Sequence, residues 1–209
     1  MEETTSTTAS TTTTITSDNG EIFKGTINDN GDRINGILIY PTTTTSTTSN
    51  NDRKIYQGDF CNNVPHGYGT MEWNDGGIYQ GNFNNNMKCG YGICTSYDGN
   101  VYTGMFIDSM PNGKGKECFN NGDVYDGDWK DDQWHGHGTY TYVNGDVYIG
   151  QWNDSMKNGK GTYTYANGDV YDGNWKDDRW HGQGTLTKND GSVTEGIWDN
   201  GEINTDGKQ

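Results

Sequence analysis

Carboxylates, imidazoles, thiols and glycine-flanked lysines are the groups in this 209-residue chain whose type and spacing could do chemistry. Asp126, Asp128, Asp131 and Asp132 crowd four carboxylates together, as a divalent cation would require. Lys130 stands where a calcium loop places a ligand, however, so they read as a solvated acidic loop. His66, His135 and His181 each stand directly before a Gly-x-Gly. One residue type at one recurring place points to a shared structural role, whereas an active site needs unlike groups converging on a pocket. Gly113-Lys114-Gly115 and Gly159-Lys160-Gly161 lack the preceding spacing and the hydroxyl residue of a phosphate loop. Nucleophile-elbow, HExxH and dinucleotide-fingerprint motifs do not occur. Cys61, Cys89, Cys94 and Cys118 form no CxxC pair and read as free thiols of a reducing compartment. These residues predict a protein that is not an enzyme and has no catalytic residue, no cofactor and no metal.

What positions these residues is a repeat. The pattern aromatic-x-Gly-x-aromatic starts at Tyr56, Tyr79, Tyr102, Tyr125, Tyr148 and Tyr171, always 23 residues apart. A weaker start falls at Thr194, with Gly196 and Trp198 in place. A Gly-x-Gly follows 11 residues after each full start, for example Gly136/Gly138, Gly159/Gly161 and Gly182/Gly184. A third glycine recurs at Gly76, Gly99, Gly122, Gly145, Gly168 and Gly191. A longer period lies above this one: residues 122–141 nearly recur 46 positions later at 168–187, and Asp108-Ser109-Met110 matches Asp154-Ser155-Met156. The array thus grew by duplicating a pair of repeats. Five segments follow: a Thr-rich tail (1–20), a degenerate copy carried by Phe23, Gly25 and Gly36 (21–41), a low-complexity linker (42–55), the repeat array (56–203) and a tail (204–209). The Thr/Ser/Asn tracts hold too little apolar surface to offset ordering entropy, so they are expected to be disordered.

Within one repeat, Tyr125, Gly127 and Trp129 alternate at period two, as do Gly136, Gly138, Tyr140 and Tyr142, so both runs read as strands. Lys130–His135 is expected as the loop between them, and Val143-Asn144-Gly145 as the connection to the next repeat. A two-residue loop there would set Tyr148 and Trp152 on the face opposite Tyr140. A three-residue loop, with Gly145 left-handed in a bulge, pairs Tyr140 with Tyr148, Gly138 with Gly150 and Gly136 with Trp152. Only this register gathers the aromatics on one face. It also explains the glycines: a Tyr or Trp ring lies flat over bare backbone, and rings of about 150–250 Å² replace the missing aliphatic core. Thr139, Thr141, Val147 and Ile149 face the other way. Each unit leaves its core open, so stability comes from stacking neighbours.

These residues resemble the MORN repeat (membrane occupation and recognition nexus), whose pattern is roughly Y-x-G-x-W-x-x-G-x-x-x-G-x-G-x(6)-G. The structural positions are Tyr125, Gly127, Trp129, Gly136, Gly138, Tyr148, Gly150, Trp152, Gly159, Gly161, Tyr171, Gly173 and Trp175. The resemblance implies an all-β fold: an elongated single-layer antiparallel sheet of tandem hairpins. The family's loop glycine is Asn63, Asn86, Ser109, Asp132, Ser155 and Asp178 here, and only Gly201 keeps it. Asn and Asp tolerate left-handed backbone. Such proteins commonly act as non-catalytic scaffolds in cytoskeletal, ciliary or membrane-contact assemblies, which is the leading reading. A peripheral membrane or phosphoinositide adaptor is the second. A regulatory partner of a separately encoded lipid kinase or methyltransferase is the third.

Composition bears on the choice. With only two Leu and two Ala a helical bundle has almost nothing to pack with. No apolar stretch is long enough to cross a membrane, and the amino terminus does not read as a signal peptide, so a cytoplasmic protein is expected. The net charge of −15 repels phosphate backbones and anionic headgroups, which argues against nucleic acid and against anionic membranes and leaves protein partners. Nothing in the sequence fixes an oligomeric state. The docking candidates are Trp134 and Trp180 with the adjacent His135 and His181. These two Trp stand outside the strand position shared by Trp129, Trp152, Trp175 and Trp198, and the equivalent residues elsewhere are Pro65, Lys88, Pro111 and Lys157. Either the indoles present an exposed edge to a partner, or they fold back over the neighbouring repeat as extra core.

Overall fold

A computed structural model describes residues 12–41 and 53–204. Every regular element in them is a β-strand, and every strand pairing is antiparallel. The chain divides into two units, residues 1–97 and 98–209. The first contains β1 (Thr12–Thr16), β2 (Ile22–Ile27), β3 (Arg33–Ile39), β4 (Arg53–Cys61), β5 (Val64–Trp73), β6 (Ile78–Asn84) and β7 (Met87–Thr95), each hydrogen-bonded to the next. The second contains β8 (Val101–Ile107), β9 (Met110–Cys118), β10 (Val124–Lys130), β11 (Gln133–Thr141), β12 (Val147–Asn153), β13 (Met156–Thr164), β14 (Val170–Lys176), β15 (Arg179–Thr187), β16 (Val193–Asp199) and β17 (Glu202–Ile203), again in a simple meander.

The connection between repeats has the expected register: Tyr140 opposes Tyr148, Gly138 opposes Gly150 and Gly136 opposes Trp152. Tyr142 N–H donates to Asp146 O and Gly145 N–H to Tyr142 O, both at 2.9 Å, and Gly145 sits at φ +93°. This is a turn followed by a left-handed bulge residue, which only glycine enters without strain.

The turn inside each repeat differs from expectation. Asp131 and Asp132 alone form it, with φ of 49° and 68°, and Gln133 onward already belongs to β11. Lys130–His135 is therefore no loop. Two consecutive left-handed residues define the hairpin turn whose twist matches the flanking strands. Asn62/Asn63, Asn85/Asn86, Asp108/Ser109, Asp154/Ser155, Asp177/Asp178 and Asn200/Gly201 repeat this geometry. The residues that replace the family glycine thus keep its backbone conformation.

Two boundaries also shift. Thr12–Thr16, expected as part of a disordered tail, forms β1 along β2, with Ile15 opposite Phe23. β-Branched residues suit a pleated strand, and the edge of β2 offers unpaired backbone groups to satisfy. Residues 53–55, expected in the linker, open β4. The rest of the expected disordered segments, residues 1–11 and 42–52, and positions 205–209 of the tail lie outside the described residues. The degenerate copy packs like the others: Phe23 is fully buried, and a Cβ on Gly25 or Gly36 would come within 2.7 or 2.9 Å of its ring.

Candidate functional site

The buried face is built from one device repeated. Tyr125 is completely buried and its ring lies over Gly127 and Gly138: a Cβ on Gly127 would stand 2.6 Å from the Tyr125 Oη and 2.5 Å from the Gly138 Cα. The phenol donates to Asp128 O at 2.8 Å. Trp129 and Trp152 flank the ring edge-on, at 5.4 and 5.5 Å between centroids. Tyr148 and Tyr171 repeat the arrangement over Gly150/Gly161 and Gly173/Gly184. Each strand Trp also donates its indole N–H to a glycine carbonyl of the preceding repeat: Trp129 to Gly115, Trp152 to Gly138, Trp175 to Gly161 and Trp198 to Gly184, all at 2.9–3.2 Å. Burial pushes the Tyr125 and Tyr148 phenols far above the ordinary range and Tyr171 up to about 12, so all three stay neutral donors.

One variable position on this face is the residue opposite the strand aromatic across the hairpin. It is Pro65, Lys88, Pro111, Trp134, Lys157 and Trp180 in successive repeats. Trp134 stacks on Tyr125 at 4.7 Å and 14°, and Trp180 on Tyr171 at 4.2 Å and 4°. Lys88 and Lys157 set their ammonium groups 5.6 Å from the Tyr79 and Tyr148 ring centroids. The variable residue is thus a lid on the core tyrosine where it is Trp or Lys, and both indoles are half-buried. Each indole thus stacks on the core tyrosine of its own repeat and keeps part of its surface exposed.

The histidines do not join them. Trp134 and His135 are neighbours in β11, and Trp180 and His181 in β15, so their side chains point to opposite faces. His181 Nδ1 lies 3.4 Å from Asp199 Oδ1, and the Asn85 N–H donates to His66 Nδ1 at 3.5 Å. These are contacts between successive hairpins. The aspartates also disperse: Asp126 and Asp128 lie in β10, whereas Asp131 and Asp132 form the turn, and no group of three or more His, Cys, Asp or Glu suited to a metal ion occurs among the described residues. Cys61, Cys89, Cys94 and Cys118 are free thiols.

Sequence reasoning missed the carboxylates of the long connections. Asp123 accepts from Val143 N–H and from the Tyr140 hydroxyl, both at 2.8 Å. Asp146 accepts from Ala166 N–H at 2.8 Å and the Tyr163 hydroxyl at 2.7 Å, and Asp169 from Asn189 N–H at 2.9 Å and Lys188 Nζ at 3.0 Å. Each staples one connection to the next, and the backbone donor foremost holds each carboxyl below the ordinary range. The signal was present, as the Asp following the third glycine at 23-residue intervals. Glu117 is the opposite case. It stands on the aromatic face between Tyr102 and Tyr125, and burial, then the charges of Asp132 and Asp98, raise its carboxyl to about 7.

The model of the MORN repeat family matches six consecutive segments: 56–78, 79–101, 102–124, 125–147, 148–170 and 171–193. The chain belongs to the MORN-repeat family. These MORN repeats carry the tyrosine–glycine device throughout, while Phe23 over Gly25 and Gly36 extends it before the matched segments. Curated protein sequences contain no match to the chain. Among solved structures, it is similar to the TCP domain of Drosophila melanogaster SAS-4 in complex with a proline-rich motif of Ana2, at 14% identity and a TM-score of 0.42, covering 90% of each chain. It is also similar to the G-box domain of the microcephaly protein CPAP, at 11% identity and a TM-score of 0.46, covering 90% of this chain and 100% of that one. No function is carried over from either. Among the described residues no helix is long and apolar enough to cross a membrane.

Proposed function

We propose that this MORN-repeat chain is a non-catalytic scaffold that presents its sheet surface to protein partners, as a component of a cytoskeletal, ciliary or membrane-contact assembly in the cytoplasm. The observation that carries this reading is the division of labour within the repeat. The core Tyr, its paired Gly and the strand aromatic (Phe or Trp) recur in every full repeat and are used by packing, whereas the lid position and the turn edge differ from repeat to repeat, which is where six repeats can differ in what they bind. The half-buried outer faces of Trp134 and Trp180 are the docking elements on this side, and His135 and His181 belong to the opposite one. Quantitative affinity capture with the full chain tests the scaffold reading: specific partners should be retained by the wild type and lost when turn-edge and lid residues are substituted together. Capture of nothing above background would overturn it. The net charge of −15 disfavours the membrane-adaptor alternative.

A further inference from the structure

The aromatic face carries rings that the tyrosine–glycine device does not use. Two positions follow the core tyrosine of each repeat on this face. They are Met71/Trp73 and Cys94/Ser96 in the first unit, then Glu117/Phe119, Tyr140/Tyr142, Tyr163/Tyr165 and Leu186/Lys188 in the second. A pair of tyrosines at these positions is therefore not a requirement of the fold, and it occurs only in two consecutive repeats of the second unit.

There the rings form a ladder. Centroids lie 6.1 Å apart from Phe119 to Tyr140, 4.4 Å from Tyr140 to Tyr142, 5.8 Å from Tyr142 to Tyr163 and 4.5 Å from Tyr163 to Tyr165. All five side chains are only half-buried. At the Tyr165 end the ladder meets a cleft walled by Tyr163, Tyr165, Trp175 and Trp180, whose charged lining is Lys157, Asp178 and Arg179. The Tyr140 and Tyr163 hydroxyls donate to Asp123 and Asp146. Among the described residues the Tyr142 and Tyr165 hydroxyls make no hydrogen bond, so two donors one repeat apart are open to a ligand.

One repeat is two strands, about 9.6 Å at the ordinary strand spacing. A polyproline II helix repeats every three residues, about 9.3 Å. A chain in that conformation lying across the strands thus sets every third residue on a ladder tyrosine. Its backbone has no internal hydrogen bonds, and its carbonyls are acceptors for the Tyr142 and Tyr165 hydroxyls. Aromatic-lined grooves take proline-rich segments in this way. Charge adds a direction. Residues 98–209 hold 9 basic and 19 acidic residues, and Glu117, two residues before Phe119, stands near Asp132 and Asp98, whereas Lys157 and Arg179 line the opposite end. Basic residues are therefore drawn to the Phe119 end. This chain does not supply the occupant, because its three prolines, Pro41, Pro65 and Pro111, stand far apart.

We propose that the ladder from Phe119 to the cleft beside Trp180 receives a proline-rich segment of a protein partner, in the polyproline II conformation and with basic residues at one end. This inference rests on the scaffold reading and names the chemistry of its partner.

The test titrates the full chain with acetyl-Lys-Lys-Pro-Pro-Pro-Pro-Pro-Pro-amide and follows the Trp180 indole N–H and the tyrosine rings by NMR. Controls are the same peptide with Glu-Glu for Lys-Lys, and a flexible one, acetyl-Lys-Lys-Gly-Ser-Gly-Gly-Ser-Gly-amide. The basic proline peptide should give a saturable response, the acidic one should bind at least about threefold more weakly, and the flexible one should not saturate. Tyr142→Ser/Tyr165→Ser should weaken binding about tenfold or more, and it is expected to fold because Ser96 already occupies the equivalent position. Tyr142→Phe/Tyr165→Phe keeps the rings, as Phe119 does, and removes only the donors; a loss of about fivefold is expected. If the serine variant fails to fold, the phenylalanine variant decides. No saturable response to the basic proline peptide, equal binding of either control, or undiminished binding by the deciding variant would overturn the proposal. A wild-type dimer that the serine variant dissolves would assign the ladder to a second copy and overturn it too. Affinity capture separates the two readings: partners retained equally by wild type and the ladder variant would sink the proline site and leave the scaffold standing. A saturable proline response with no captured partner would do the reverse.

Discussion

At the scale of single residues, each core tyrosine is locked to a pair of glycines. A Cβ on Gly127 or on Gly150 would come within 2.6 Å of a buried phenol oxygen and of the facing glycine Cα, with no side chain able to yield. Gly127→Val and Gly150→Val are each expected to lose at least about 1–3 kcal/mol, and denaturant melts equal to wild type would refute the packing argument. The lid residues act on the same rings from above. Trp134→Lys/Trp180→Lys should fold, because Lys157 shows the ammonium is tolerated there, but it gives up two stacked ring pairs and should melt lower, by about 0.5–1.5 kcal/mol per site. An unchanged melt would show that the stacked pairs add nothing to stability. Burial, then the charges of Asp132 and Asp98, raise the Glu117 carboxyl to about 7 in the fold, far above the ~4.3 of an unfolded glutamate. Its protonated form suits the aromatic face, so its stabilising contribution is complete below the unfolded value and is lost as pH rises through the folded one. Wild type should therefore melt lower at pH 8 than at pH 5.5 in part through this group, and Glu117→Gln should narrow that difference; an identical pH dependence in the variant would contradict the assignment.

At the scale of the element, the hairpins are held at both ends by different chemistry. The short turns use two left-handed residues, and the next repeat is tied to them by bonds such as Ser155 N–H to Trp134 O at 3.0 Å and Trp134 N–H to Ser155 Oγ at 3.1 Å. The long connections are tied by Asp123, Asp146 and Asp169. Because these carboxyls are held below the ordinary range, the unfolded chain binds more protons than the folded one as pH falls. Their contribution is present above the unfolded value near ~4 and disappears as pH drops through the folded values. Asp146→Ala, which deprives Ala166 N–H and the Tyr163 hydroxyl of their acceptor, should cost about 1–2 kcal/mol at pH 7, with the gap closing as the folded carboxyl is protonated in acid. Parallel urea melts of both proteins across that range would show whether the gap closes.

At the scale of the whole molecule, charge and periodicity were legible in the sequence, and the placement of side chains at the turns was not. The net charge of −15 leads to negligible cosedimentation with vesicles containing anionic lipid at near-physiological salt, and strong pelleting with phosphoinositide vesicles would favour the adaptor reading. The 23-residue spacing of Tyr, Gly and Trp determined the strands, their antiparallel order and the register of the connections, because a one-residue slip would turn every ring to the other face. The family followed from the same residues. Only the tertiary structure decided that Asp131 and Asp132 alone make the turn, since Asp is compatible with both a tight left-handed turn and a longer loop. That single point moved Trp134 and His135 into a strand and onto opposite faces, undoing their grouping. It alone also showed that Lys157 is enclosed by four rings. The spacing records that two residues recur, but what a side chain meets there depends on rings contributed by neighbouring repeats, and those meet only once the strands are paired.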